Sequence, residues 1–155
     1  MKKIILILMM FLLVGCSSEN TSKKMDFNGL KGELSILEIE GNTYYDNANN
    51  INDLEVIDSY GMDVSLFEEY LIYISTEVED PSMYMVILPK KDETAVIDYQ
   101  IDDFFSVYHA AYNGYYPEVA HMIENRKEEQ IGDYLVYIIS KDNDKVYDVI
   151  KKNYK

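Results

Sequence analysis

The sequence predicts an α+β fold with two layers, in which a small sheet of about three strands carries helices packed on one face. Three short apolar runs rich in β-branched and aromatic residues, at 70–74, 84–88 and 134–139, have the composition of buried strands. In the segment 96–112, apolar residues recur at three- and four-residue steps without Gly or Pro, which is typical of a long amphipathic helix. The chain length of 155 residues favours a single domain, which we place at 28–155.

The first residues have the pattern of a secretory signal. Lys2 and Lys3 precede a run of eleven apolar residues at 4–14. The hydrophobic core of a signal peptide needs about 7–15 residues, whereas a membrane-spanning helix needs about 20. Because the run is too short to span a membrane comfortably, we predict that residues 1–15 are a cleaved lipoprotein signal peptide.

The signal ends in a lipobox, in which Leu13, Val14 and Gly15 precede Cys16, the only cysteine of the chain. The Cys16 thiol would receive a diacylglyceryl group through a thioether, with palmitate-type acyl chains. The alternatives are a simple cleaved signal or a buried free cysteine. One acyl chain anchors a protein marginally and two anchor it stably. We expect the polar segment 16–27 to link the lipid to the domain as a flexible tether.

The start of the domain carries weaker signals. Residues 28–39 fit either a helix or a strand, because their apolar spacing tolerates both periods. Asn52 or Asp53 is expected to cap a short helix that ends at Gly61, and Asp63 to cap one further turn. The first two strands follow.

Turn and cap residues mark the limits of the later elements. Asp92 is the expected N-cap of the long helix, Gly114 is expected to end it, and Pro117 is expected to begin the next helix. Gly132 precedes the third strand, and Asp142 is expected to cap a final helix. We expect the long helix and the final helix to share one face of the sheet.

Net charge narrows the classes of partner. Removal of residues 1–15 takes away Lys2 and Lys3, which leaves 12 basic and 28 acidic residues and a formal charge of −16. Such a chain is repelled by nucleic-acid phosphates and by anionic lipid headgroups, so we predict no nucleic-acid partner and a domain that hangs from its lipid. Acidic surface also keeps exported domains soluble, and it could attract a basic partner or cations.

Several short motifs resemble one known family. The motifs are Tyr60-Gly61-Met62-Asp63, the apolar strand that leads into the long helix, Tyr116-Pro117-Glu118 and Gly132-Asp133-Tyr134-Leu135-Val136. Over roughly Ile51 to Tyr154 the chain resembles a family of small lipoproteins of Firmicutes with a domain of unknown function (numbered four-three-five-eight). The resemblance implies a Gram-positive lipoprotein with a small α+β domain, and it brings no catalytic residues. One departure is that such proteins often carry a basic residue before the Tyr-Pro segment, where this chain has only His109.

Candidate chemistry in the sequence is sparse. Glu118 and His121 lie three residues apart on one helical face, but a metal site needs several converging ligands, and a surface pair is the ordinary interpretation. Asp142-Asn143-Asp144 lacks the Gly and Glu that a calcium loop requires. Adjacent carboxylates, such as Glu68-Glu69 and Asp102-Asp103, point apart on a helix. We therefore predict no catalytic residues, no metal and no cofactor.

Four tyrosines form the candidate interaction patch. Tyr108, Tyr112, Tyr115 and Tyr116 cluster around the turn between the two predicted helices. Tyrosine is common at protein interfaces, so the patch could grip a peptide, a glycan or a protein. The alternative is that these rings pack the joint between the helices.

The function predicted from these features is a cell-surface lipoprotein that acts as a non-catalytic binding or modulating module at the envelope. It would be held on the extracellular face of a Gram-positive cell membrane by the lipid on Cys16, and it would meet a protein or another envelope component. The alternative is an enzyme, or an accessory subunit of one, that acts on envelope material.

Overall fold

The computed structural model describes residues 23–43, 48–50, 60–75 and 77–155. The α-helices in these residues are α1 (Phe27–Ser35), α2 (Thr94–Asn113), α3 (Pro117–Glu124) and α4 (Asn143–Lys152). The strands are β1 (Glu38–Ile39), β2 (Asn42–Thr43), β3 (Ala48–Asn50), β4 (Phe67–Ser75), β5 (Met83–Pro89), β6 (Lys127–Ile131) and β7 (Tyr134–Ile139). The predicted signal peptide, the lipobox, Cys16 and most of the predicted helix after Asn52 lie outside the described residues.

An antiparallel sheet with the strand order β3-β4-β5-β7-β6 forms the centre of the domain. The three apolar runs of the sequence become β4, β5 and β7, which lie side by side. Phe67 pairs with Pro89, and Ile87 pairs with Leu135, which fixes the register across the sheet. Strands β1 and β2 form a separate antiparallel pair.

The central strands are buried on both faces, because each is a continuous apolar run without polar alternation. On β7, for example, Leu135 and Tyr137 point to one core, whereas Val136 and Ile138 point to the other. Helices α2 and α3 cover the first face with Ile97, Ile101, Phe104, Phe105, Val119 and Ile123. Helices α1 and α4 cover the second face with Leu30, Leu34, Val146 and Ile150.

The α+β class, with a small sheet and packed helices, is confirmed. The prediction that the long helix and the final helix share one face is corrected, because α2 and α4 lie on opposite sides of the sheet. A single helical layer would leave Tyr84, Val86 and Val136 in water, and burial of such side chains stabilises the fold by about 1.5–3 kcal/mol each. The domain therefore has helix, sheet and helix layers.

Most of the predicted caps are found where the sequence indicates them. The Asp63 carboxylate accepts from the Ser65 amide at 2.9 Å and begins a short 3₁₀ turn. Pro117 is the first residue of α3, and Asp142 caps α4. The prediction for Asp92 is wrong by one residue: Glu93 is the N-cap of α2, and Asp92 lies before it with a φ of 67°.

Both ends of the described chain meet at one end of the sheet. The backbones of Lys24 and Lys155 exchange hydrogen bonds of 2.7 and 3.0 Å, and Met25 bridges to Tyr154. The Met25 amide also donates to the Tyr134 hydroxyl at the start of β7, 3.3 Å away. Residues 24–27, the last part of the segment predicted to be a tether, are thus bonded to the folded domain. We call this end of the sheet, with Lys24 and Tyr134, the tether end.

The opposite end of the sheet contains the last residue of β4, the first of β5 and the last of β7, which are Ser75, Met83 and Ile139. We call it the distal end. Because a six-residue strand is about 20 Å long, the two ends are separated by roughly that distance. Within the described residues, no helix combines the length and the apolar character needed to cross a membrane.

Candidate functional site

The tyrosine cluster begins in the second half of α2 and ends at the N-cap residue of α3. Tyr108 and Tyr112 are four residues apart and so lie on the same face of the helix. The chain then leaves the helix in a tight turn, in which the amides of Tyr115 and Tyr116 both donate to the Tyr112 carbonyl. Tyr116 is the N-cap residue of α3 and directly precedes Pro117.

Three of the four tyrosines continue a column of aromatic rings along the outer edge of the first core. Consecutive ring centroids are 5.3 Å apart from Tyr60 to Phe104 and 5.4 Å from Phe104 to Tyr108. They are 5.1 Å apart from Tyr108 to Tyr112 and 6.1 Å from Tyr112 to Tyr116. These spacings are those of favourable stacked and edge-to-face pairs, so the column fastens α2 to the start of α3.

Burial raises the pKa of Tyr108 far above its usual range, and the neighbouring Tyr112 raises it further. The neutral phenol is favoured because an ionised one would lose its hydration inside the column. Tyr108 is therefore a packing residue whose hydroxyl stays protonated at physiological pH.

Tyr115 differs from its neighbours because its side chain is 84% exposed. It stands at the rim of a concave groove of about 430 Å³ at the distal end. The groove is lined by Glu79, Tyr115, Tyr116, Pro117, Glu118, Val119, Met122 and Lys141. We call it the distal groove. Its surface is mainly aromatic and aliphatic, and its charged groups can contact the polar atoms of a bound chain.

Charge around the distal groove is predominantly negative. Glu79 and Glu118 contribute two carboxylates, and Lys141 contributes one ammonium group. The Lys141 ammonium lies 3.5 Å from the Glu40 carboxylate, which offsets its charge. The loop between β4 and β5 adds Glu77, which is exposed, so the groove favours a ligand that carries positive charge.

No protein-family model matches the chain, and neither a curated protein nor a solved structure is found to match it.

Helix α3 forms one wall of the groove because its sequence is strongly amphipathic. Val119, Ala120 and Ile123 are buried, which leaves Glu118 and Met122 on the groove side. Met122 is half-buried and presents a flexible thioether, which adapts to different apolar groups.

The two histidines contact a single carboxylate. His109 Nε2 is 3.0 Å from Glu124 Oε1, and His121 Nδ1 is 3.9 Å from Glu124 Oε2. Glu124 thus joins α2 to α3. The predicted pair of Glu118 and His121 makes no common site, and no group of three or more His, Cys, Asp or Glu residues in the described segments could hold a metal ion.

The segment Asp142-Asn143-Asp144 after β7, which weakly resembles a calcium loop, begins and caps helix α4. The Asp142 carboxylate accepts from the Lys145 amide at 3.0 Å, and the Asn143 side-chain oxygen accepts from the Ser140 amide at 2.7 Å. Asp144 forms an ion pair with Lys127 at 2.9 Å. These three side chains stabilise the start of α4.

The sequence did not single out Glu79, Met122 or Lys141. Glu79 and Lys141 are in loops that are about 60 residues apart, and only the pairing of β5 with β7 brings them together. Met122 could have been singled out from the sequence, because it is an apolar residue that lies next to the buried stripe of α3. The lipobox residues and Cys16 lie outside the described residues.

Proposed function

We propose that this chain is a lipoprotein of the cell envelope, anchored through lipid on Cys16, whose domain is a non-catalytic module that binds a polypeptide in the distal groove. The observation that carries the proposal is the position of the groove. It lies at the end of the sheet opposite Lys24, where the chain leaves the tether. A module tethered at one end presents the other end to its surroundings.

The ligand that fits the groove is an extended segment with an apolar side chain flanked by lysine or arginine. The apolar side chain would lie against Tyr116, Pro117 and Met122, and Tyr115 would close over it. The basic groups would meet the carboxylates of Glu79 and Glu118 at the rim. The acidic net charge supports the same class of ligand because it speeds the approach of a cationic partner.

The test uses a five-residue synthetic peptide with a central leucine and two flanking lysines, and the same peptide with glutamate in place of lysine. Binding to the mature chain is followed by fluorescence anisotropy. We expect the lysine peptide to bind and the glutamate peptide to bind at least about tenfold more weakly. Equal binding of the two peptides would refute the charge argument.

A matched pair of variants assigns the binding to the groove. Tyr115→Ala removes an exposed ring at the rim, and Tyr99→Ala removes a 74% exposed ring on α2, outside the groove. A tyrosine that anchors a ligand contributes about 2 kcal/mol, so Tyr115→Ala should weaken binding about thirtyfold, whereas Tyr99→Ala should leave it unchanged. Equal effects of the two variants would contradict the proposal.

A further inference from the structure

A second cleft lies at the tether end and is rich in lysine. It has a volume of about 470 Å³ and includes Lys23, Lys24, Lys90 and Lys91 in its lining. The carboxylates in the same lining are those of Glu68, Asp92 and Asp133. The cleft thus holds more positive than negative groups, although the mature chain has more than two acidic residues for each basic one. We call it the lysine cleft.

The ammonium groups of the lysine cleft are available to a ligand. All four lysines are exposed. Lys90 Nζ donates to the neutral Ser65 carbonyl at 2.6 Å, and no carboxylate of the described residues forms an ion pair with it, although its charge helps to lower the pKa of the nearby Asp63. Lys24 Nζ lies 3.8 Å from Glu69 Oε1, a distance too long for a strong ion pair. Among the described residues, no carboxylate forms an ion pair with Lys91.

The position of the cleft relative to the anchor limits which surface it can meet. Cys16 is seven residues before Lys23. An extended segment of that length spans at most about 25 Å, so a lipid on Cys16 would keep Lys23 within that distance of the membrane surface. This step rests on the lipid anchor of the proposed function.

We propose that the lysine cleft binds the phosphate of an anionic phospholipid headgroup and so seats the tether end of the domain on the membrane. Each lysine near an anionic surface contributes about fivefold to membrane affinity. The opposite orientation would bring the carboxylates of the distal end, such as Glu77 and Glu79, within about 10 Å of the same surface, which would repel them. Together these forces orient the distal groove away from the bilayer, although the net charge of −16 alone suggests a domain that avoids it.

The first experiment measures the orientation of the lipidated chain on vesicles. The protein is reconstituted on phosphatidylcholine vesicles with or without phosphatidylglycerol, lysines are acetylated briefly, and the modified peptides are quantified by mass spectrometry. We expect phosphatidylglycerol to protect Lys90 and Lys91 several-fold at low salt and not at high salt, while Lys141 and Lys145 react equally on both. Unchanged acetylation of Lys91 would overturn the proposal.

The second experiment separates the cleft from the lipid anchor. The mature chain with Cys16→Ser is sedimented with phosphatidylglycerol vesicles at low salt. We expect weak binding that Lys90→Glu with Lys91→Glu lowers at least about twentyfold and that the same charge change at Lys141 and Lys145 leaves intact.

These arms distinguish the two proposals. If the intact mass of the natural chain shows no lipid on Cys16 but the Cys16→Ser chain still binds vesicles through Lys90 and Lys91, the anchor fails and the cleft stands. If the Cys16→Ser chain binds inorganic phosphate but no vesicles, or if the Lys141 and Lys145 reversal is equally damaging, the cleft is not a membrane site.

Discussion

Replacement of Tyr108 by alanine should destabilise the domain strongly, whereas replacement of Tyr115 should not. Tyr108 is half-buried and pairs with Phe104 and Tyr112 at 5.4 and 5.1 Å. Each ring pair contributes about 0.5–1.5 kcal/mol, and loss of half the burial of a large ring costs about 2 kcal/mol. We expect Tyr108→Ala to lower the free energy of unfolding by about 3 kcal/mol.

Tyr115 is 84% exposed, so Tyr115→Ala should change the free energy of unfolding by no more than about 0.5 kcal/mol. Urea unfolding of residues 16–155, monitored by circular dichroism, measures both free energies of unfolding. The melting temperature should fall by about 10 °C for Tyr108→Ala only. A Tyr115→Ala variant as unstable as Tyr108→Ala, or a neutral Tyr108→Ala, would contradict the packing role of Tyr108.

Three further predictions concern the frame around the sites. Gly132→Ala should lower the free energy of unfolding by at least about 2 kcal/mol, because φ is 61° at this position and a Cβ would collide with the Tyr154 ring. Gly114→Ala is the control, since a Cβ there meets no atom within 4 Å, and it should be nearly neutral in urea unfolding. Asp142→Ala should lower the free energy of unfolding by about 1 kcal/mol through loss of the N-cap, and Asp142→Asn should restore most of it; equal stabilities would contradict the cap. Burial raises the pKa of Tyr137, so above about pH 10 this side chain ionises in the unfolded chain before it ionises in the folded one. Its contribution to stability is therefore complete below about pH 10 and declines as the pH rises further. The loss of stability between about pH 8 and pH 11 should therefore be smaller in Tyr137→Phe than in the natural chain, and an equal loss would count against the shift.

Local signals in the sequence predicted most elements of the fold. Pro117 and Asp142 begin helices because of their own backbone and side-chain chemistry, which needs no tertiary contact. The runs that became β4, β5 and β7 were equally clear. Strand β6 was missed because its residues, Lys127 to Ile131, are mainly charged and polar, which suits an exposed edge strand that resists pairing with other chains.

The sequence does contain a signal that helices lie on both faces of the sheet. A strand such as Tyr134–Ile139, with no polar alternation, needs cover on both faces, and only helices on both sides of the sheet provide it. The assignment of the helices to faces depends on long-range packing. Helix α1 fell in a segment whose apolar spacing also tolerated a strand, so the second layer was not visible from periodicity alone.

The candidate site was predicted only in part. The spacing of Tyr108 and Tyr112 placed them on one helical face, and the structure packs both in the ring column. Tyr115 and Tyr116 are adjacent in sequence, yet the turn after α2 exposes one and packs the other. The contributions of Glu79 and Lys141 depend on strand pairing, which composition cannot show.

Photo-crosslinking in the native envelope tests directly whether the distal groove binds a polypeptide. A benzophenone amino acid replaces Tyr115 at the rim of the distal groove or, as the control, the exposed Tyr99. We expect a discrete adduct from position 115 only, and its crosslinked peptide should have an apolar residue beside lysine or arginine. Equal adducts from both positions, or an acidic crosslinked segment at position 115, would contradict it.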